Sequence, residues 1–124
     1  RAVALFLSSV IFGLMHLSNP EVGDMGLVIM VFYIGCGFLL GIMTLMDEGL
    51  ELALGFHAVN NLFGALIITT NTAVFQTDAL FLFKGTSSIY EMLVQVFIIF
   101  PILLFIFSKK YNWANWNQKL FKGI

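Results

Sequence analysis

Four apolar stretches divide the chain, separated by short polar breaks. The first, Ala2–Leu17, closes at Ser18-Asn19-Pro20, where Pro20 biases Asn19 away from helix. The second is Met25–Met46. The third, Leu50–Ile68, is entered from Asp47-Glu48-Gly49. The fourth is Ser87–Phe107, in which Pro101 predicts a kink. A helical crossing takes about 20 apolar residues, range about 17–25. The second, third and fourth stretches meet that length and the first is short. The pattern predicts an all-α fold, a polytopic transmembrane bundle of about four spans over residues 1–107. Between the last two spans, Thr69–Thr86 reads as a polar-leaning loop with one apolar patch, Ala79–Phe83, that dips into the interface or covers the bundle. In the remainder, 108–124, Lys109, Lys110, Lys119 and Lys122 alternate with Tyr111, Trp113, Trp116 and Phe121. Lysines interleaved with amphipathic aromatics suit the headgroup zone, so this tail is expected on the membrane surface.

Composition agrees with the pattern. Of 124 residues, 60% are hydrophobic and 10% charged, and the mean hydropathy is +0.96. A soluble domain carries about 25% charged and about 45–50% apolar residues. There is too little polar surface here for a water-soluble enzyme, and the lipid bilayer is the first partner implied. Six basic against seven acidic residues argue against a nucleic-acid surface. Cys36 is the single cysteine and forms no internal disulfide; a small packed helix residue is its expected role. Four spans put both ends of the chain on one side, together with Arg1 and the four tail lysines. Lys84 alone would lie opposite, and the positive-inside rule places both ends in the cytoplasm. The chain opens at Arg1 without a signal-peptide pattern and reads as an internal piece of a longer protein.

Polar groups inside apolar spans are costly and so carry information. His16 lies near the end of the first span, and His57 lies inside the third. Residues four apart share a helix face, which pairs Phe12 with His16, above Ser9, and His57 with Asn61. A neutral imidazole ligates a metal or holds a water. An Asn amide donates to a developing oxyanion. The set suits polar attack on a carbonyl, but it lacks a carboxylate to take the proton from water. Asp47, Glu48 and Glu51 cluster at the mouth of the third span, and Glu51 points about 120° away from His57 around the helix. Asp24 falls in a loop, with no second intramembrane aspartate to share a proton. There is no H-E-x-x-H, G-x-S-x-G, P-loop or dinucleotide fingerprint. Each polar residue taken singly also suits a structural role. A lone His or Asn bonds neighbouring helices, Ser9 packs, and Glu91 with Gln95 bonds another helix or snorkels. Gly37-x-x-x-Gly41 is a close-approach motif with a structural meaning.

Phe12-x-x-x-His16 followed by His57-x-x-x-Asn61, in adjacent apolar spans, resembles the second and third motifs of the CPBP (Abi-like) intramembrane proteases. That family holds the CAAX prenyl endopeptidases and bacterial relatives such as bacteriocin-immunity proteins. The resemblance covers roughly Ala2–Leu66. It implies a helical bundle around a polar cavity, in a bacterial plasma membrane, that cuts a membrane-associated peptide or protein. It also implies His16, His57 and Asn61 as catalytic residues. A general-base glutamate would act with His16, while His57 and Asn61 stabilise the oxyanion or complete a metal site. His16 and His57 are the metal ligands if zinc is used, and zinc or metal-free water both stay open. The family's first motif, a Glu-Glu pair followed three residues later by Arg, is absent from this chain. The 124 residues alone are therefore expected to be inactive.

Two other classes fit parts of the pattern. A non-catalytic scaffold or immunity protein would keep the bundle without the glutamate pair. A transporter piece would want inverted repeats or paired broken helices, and neither is visible. The enzyme reading also carries a geometric demand. At 1.5 Å per residue His16 stands about 22 Å along its span and His57 about 10 Å along its own, so a depth gap of about 12 Å must be closed.

Overall fold

The computed structural model describes residues 1–85 and 88–122. Thr86 and Ser87, the end of the expected loop and start of the expected fourth span, lie outside the described residues, as do Gly123 and Ile124 of the tail. The helices are α1 (Ala2–Leu14), α2 (Pro20–Met25), α3 (Met30–Asp47), α4 (Glu51–Leu66), α5 (Ile89–Val94), α6 (Phe100–Lys110) and α7 (Trp116–Phe121). A 3-10 turn, Gly26–Ile29, joins α2 to α3. A π turn, Gln95–Ile99, joins α5 to α6. Pro101, in the first turn of α6, has no N–H to give the carbonyl four residues back, and the wider turn lies just ahead of it.

Among the described residues, two helical runs are long and apolar enough to cross a membrane, Pro20–Asp47 and Ile89–Lys110, and α1 is a shorter apolar helix. The second run buries none of its apolar window against the rest of the chain. Phe97, Ile98 and Phe105 are more than half exposed, as lipid-facing residues are. The second and fourth expected spans correspond to these runs, and the third is shorter than a full crossing. That stretch forms the 16-residue α4, which is about 24 Å long against a hydrocarbon core of about 30 Å.

The chain is mostly helical, as expected, with a short strand pair. Just beyond α4 the chain extends into β1 (Ile68–Thr70), which pairs in parallel with β2 (Phe81–Phe83), Ile68 opposite Phe81. The apolar patch read at Ala79–Phe83 is largely this second strand. The change from helix to strand follows the β-branched run Ile67-Ile68-Thr69-Thr70, which restricts χ1 in a helix and suits a pleated surface.

Packing of α1 on α3 is set by small residues. A Cβ on Gly37 would stand 2.7 Å from the Ser9 carbonyl oxygen and 2.8 Å from Ser9 Cα, so only glycine admits this approach. Ser9 is 1% exposed, and its hydroxyl donates to Leu5 O at 2.7 Å. Ser9 is thus a packing residue. The helices run antiparallel, so Leu5 meets Gly41, Ser9 meets Gly37 and Gly13 meets Ile34. One step further along this seam His16 meets Tyr33.

The opposite end of the bundle holds the main core: Leu39, Met43 and Met46 of α3, Ala53 of α4 and Trp113. Trp113 is 8% exposed and donates its indole N–H to Asp47 at 3.1 Å. Lys119 donates to the Met46 carbonyl at 2.8 Å and pairs with Glu48 at 3.1 Å. A cation on the last carbonyls of α3 complements the negative end of the helix. Arg1 reaches the Lys119 carbonyl at 3.5 Å, so the first residue and the tail share one end of the fold. Glu91 departs from its expected interhelical role. It closes a capping box at the start of α5, where its carboxylate accepts from the Ser88 N–H at 3.3 Å.

Candidate active site

The seam between α1 and α3 delivers Phe12 and His16 to the end of the bundle away from the core. His16 lies just past α1, in the turn Met15–Ser18, with its backbone N–H on Gly13 O at 2.9 Å. Its Nδ1–H donates to the Phe12 carbonyl at 2.7 Å. A carbonyl can only accept, so the proton of the neutral ring sits on Nδ1 and the lone pair on Nε2 is left free. On α4, His57 and Asn61 share a face as their spacing predicts, and Asn61 Nδ2 donates to His57 Nε2 at 3.2 Å. His57 accepts at Nε2, so its proton is on Nδ1. The second amide proton of Asn61 is uncommitted.

Phe12 closes the depth gap. Its ring lies 4.8 Å from that of His16 and 5.6 Å, edge to face, from that of His57. The two imidazoles, one from the turn after α1 and one from α4, share one phenyl ring, and staggered helix ends make this possible: His57 is in the second turn of α4, while Phe12 is near the end of α1. Such aromatic pairs contribute roughly 0.5–1.5 kcal/mol each beyond burial.

His16, His57 and Asn61 line one cavity of about 930 Å³. Its walls come from α1, α2, α3 and α4 and from the segment after α4, including β1. All three side chains are half-buried, between apolar packing and open space. Glu51, in the first turn of α4, is exposed and does not line the cavity.

Sequence reasoning missed the carboxylates that do line it. Glu21 and Asp24, on the short α2 that starts at Pro20, line the cavity, and so does Lys84. Asp24 belongs to a helix and not to a loop. Oxygen Oε2 of Glu21 is buried without a hydrogen-bond partner. Asn19 and Tyr33 were missed as well. Asn19 Nδ2 donates to the Tyr33 hydroxyl at 3.1 Å, and the His16 ring stacks on Tyr33 at 4.5 Å with 22° between planes. The available signal was position: Asn19-Pro20-Glu21 follows His16 within five residues, and Tyr33 is a polar-tipped residue inside an apolar span.

The described residues contain no group of three or more His, Cys, Asp or Glu side chains that could hold a metal. Two imidazoles, one with its Nε2 already taken by Asn61, do not make a zinc site on their own.

A model of the type II CAAX prenyl endopeptidase Rce1-like family matches residues 1–63, just over half of the chain. The chain belongs to the Rce1-like family. The matched segment carries α1, α3 and most of α4, hence Phe12, His16, His57 and Asn61. The resemblance read from Phe12-x-x-x-His16 and His57-x-x-x-Asn61 is thereby borne out, and the protein is a helical membrane protein of a protease family. An uncharacterized protein of Bacillus subtilis (strain 168), YyaK, is 32% identical over 74 residues, which cover 57% of this chain and 25% of that protein. The chain therefore spans about a quarter of the length of this curated relative. No solved structure matches it.

Proposed function

We propose that this chain carries the histidine half of an intramembrane endopeptidase of the Rce1-like type, acting in a bacterial plasma membrane on a membrane-associated peptide or protein. One observation carries the reading: His16 and the His57–Asn61 pair, from different elements, line a single cavity and meet on Phe12. In this reading a water rests on the free Nε2 of His16 and is deprotonated by a glutamate supplied from outside this chain. The water oxygen bonds to the peptide carbonyl carbon, and the carbonyl oxygen becomes an oxyanion. Asn61 gives that oxyanion its uncommitted N–H, while His57 holds the amide in place. The C–N bond then breaks, and the proton taken from water passes to the leaving amine.

No step requires a metal, and a zinc ion held by His16 and His57 would need a further ligand from outside the chain. The partial polarity of the cavity suits a peptide with an apolar attachment, for which a prenylated C-terminal peptide is one member.

The test is hydrolysis of a fluorogenic, membrane-tethered peptide by the full-length protein and its His16→Ala and His57→Ala variants. Both variants are expected to lose activity. Full proteolysis in both would overturn the assignment.

A further inference from the structure

The polar string beside His16 is not used by the steps above, yet it is built. Tyr33 is 8% exposed on α3, and its ring lies nearly parallel to the His16 imidazole at 4.5 Å. Phe32 packs edge to face against Tyr33 at 5.6 Å. The Tyr33 hydroxyl accepts the Asn19 amide at 3.1 Å, which leaves its own proton to give. Glu21 lines the same cavity, and its Oε2 is buried without a hydrogen-bond partner. The Asn19–Tyr33 bond ties the turn that carries His16, and the start of α2, to α3.

We propose that Tyr33 is a positioning residue for His16, itself held by Asn19. The imidazole has two rotatable bonds. The bond from Nδ1 to the Phe12 carbonyl fixes its proton and restrains its swing. Tyr33 fixes the plane of the ring, so Nε2 keeps one direction into the cavity. The Tyr33 ring is tied at its tip by Asn19 and packed by Phe32, which restrains it along the seam. This inference rests on the proposed role of His16 and names what holds that residue in working geometry.

Kinetics of the full-length protein on the membrane-tethered peptide test it. Tyr33→Leu removes the stacking surface and is expected to lower kcat by about 10²-fold, with KM within about threefold, as misplacement of a reacting group does. Tyr33→Phe keeps the ring and should retain kcat to within about tenfold. A Tyr33→Leu/His16→Ala double variant should be no slower than His16→Ala, because the two act as a unit. A Tyr33→Leu kcat within twofold of wild type, or additive losses in the double variant, overturns the inference. A second readout does not depend on turnover: carbethoxylation of His16 and His57 by diethyl pyrocarbonate, resolved by mass spectrometry. Tyr33→Leu should speed modification of His16 several-fold and leave His57 unchanged. Equal acceleration of both reports loss of the fold and no specific positioning, which overturns the inference. An inactive wild type overturns the hydrolase reading, while the modification ratio still decides whether Tyr33 holds His16.

Discussion

Asn61 gives one amide proton to Nε2 of His57 at 3.2 Å, across a single turn of α4. The pair is a unit: the ring orients the amide and leaves it a second N–H to donate. Asn61→Ala and His57→Ala are each expected to lower kcat by about 10²–10³-fold, the loss typical of one oxyanion donor. The double variant should fall no more than about tenfold below the slower single one, because the second substitution removes an interaction already broken. Steady-state kinetics on the full-length protein measure both. Losses that multiply would show that the two residues act separately.

The 124-residue chain alone is expected to cleave no membrane-tethered peptide, even though Glu21 and Asp24 line its cavity. Glu21 Oε2 is buried without a hydrogen-bond partner, and Asp24 is exposed. In the full-length protein Glu21→Gln should keep activity within about tenfold, since the proposed base is a glutamate outside these 124 residues. Cleavage by the 124-residue chain, abolished by Glu21→Gln, would make Glu21 the base.

The residues that were legible in the sequence share a property: their spacing alone fixes which face they occupy. Phe12 with His16, and His57 with Asn61, are one helical turn apart, so any helix brings each pair together. Gly37 and Gly41 marked a close helix contact for the same reason, and the contact is with α1. What stayed hidden depends on registers between elements. Tyr33 reaches His16 only because α1 slides along α3 until Ser9 meets Gly37. Glu21 enters the cavity only because residues 20–25 coil into a short helix where a loop was expected. The end of α4 at Leu66 was hidden too, since apolarity continues into the strand Ile68–Thr70, and hydropathy does not separate a buried helix end from a strand. The tail is a fourth instance. Trp113 and Lys119 looked like headgroup contacts, and their partners Asp47, Glu48 and Met46 lie more than sixty residues away in sequence.

That tail makes an energetic prediction. Trp113→Ala opens the core beside Met43, Met46 and Ala53 and leaves Asp47 without its indole donor. It should cost about 3–5 kcal/mol, as for a large aromatic truncated in a core. Lys119→Met should cost about 1 kcal/mol or less from its ion pair, because Glu48 is 70% exposed and solvent screens the pair. Denaturation of the detergent-solubilised protein, followed by far-UV circular dichroism, separates the two. A tail lying free on the membrane surface would make both substitutions neutral.

The α1–α3 seam gives the last prediction, because it links stability to the site. Gly37→Ala places a methyl group 2.7 Å from the Ser9 carbonyl oxygen, and backbone at that distance cannot yield as a flexible side chain would. The helices must part by a few tenths of an ångström or more, at a cost of roughly 1–3 kcal/mol. The same displacement moves His16, carried by α1, relative to Tyr33, carried by α3. Gly37→Ala should therefore lower both the melting temperature and kcat, with KM less affected. Gly55→Ala supplies the control, since a Cβ there meets nothing within 4 Å. Alanine in that helix interior should hold or raise stability by up to about 1 kcal/mol, with kcat unchanged. If Gly37→Ala lowered stability yet left kcat at the level of Gly55→Ala, the seam would be a packing device alone, and the orientation of His16 would have to be set by its own turn.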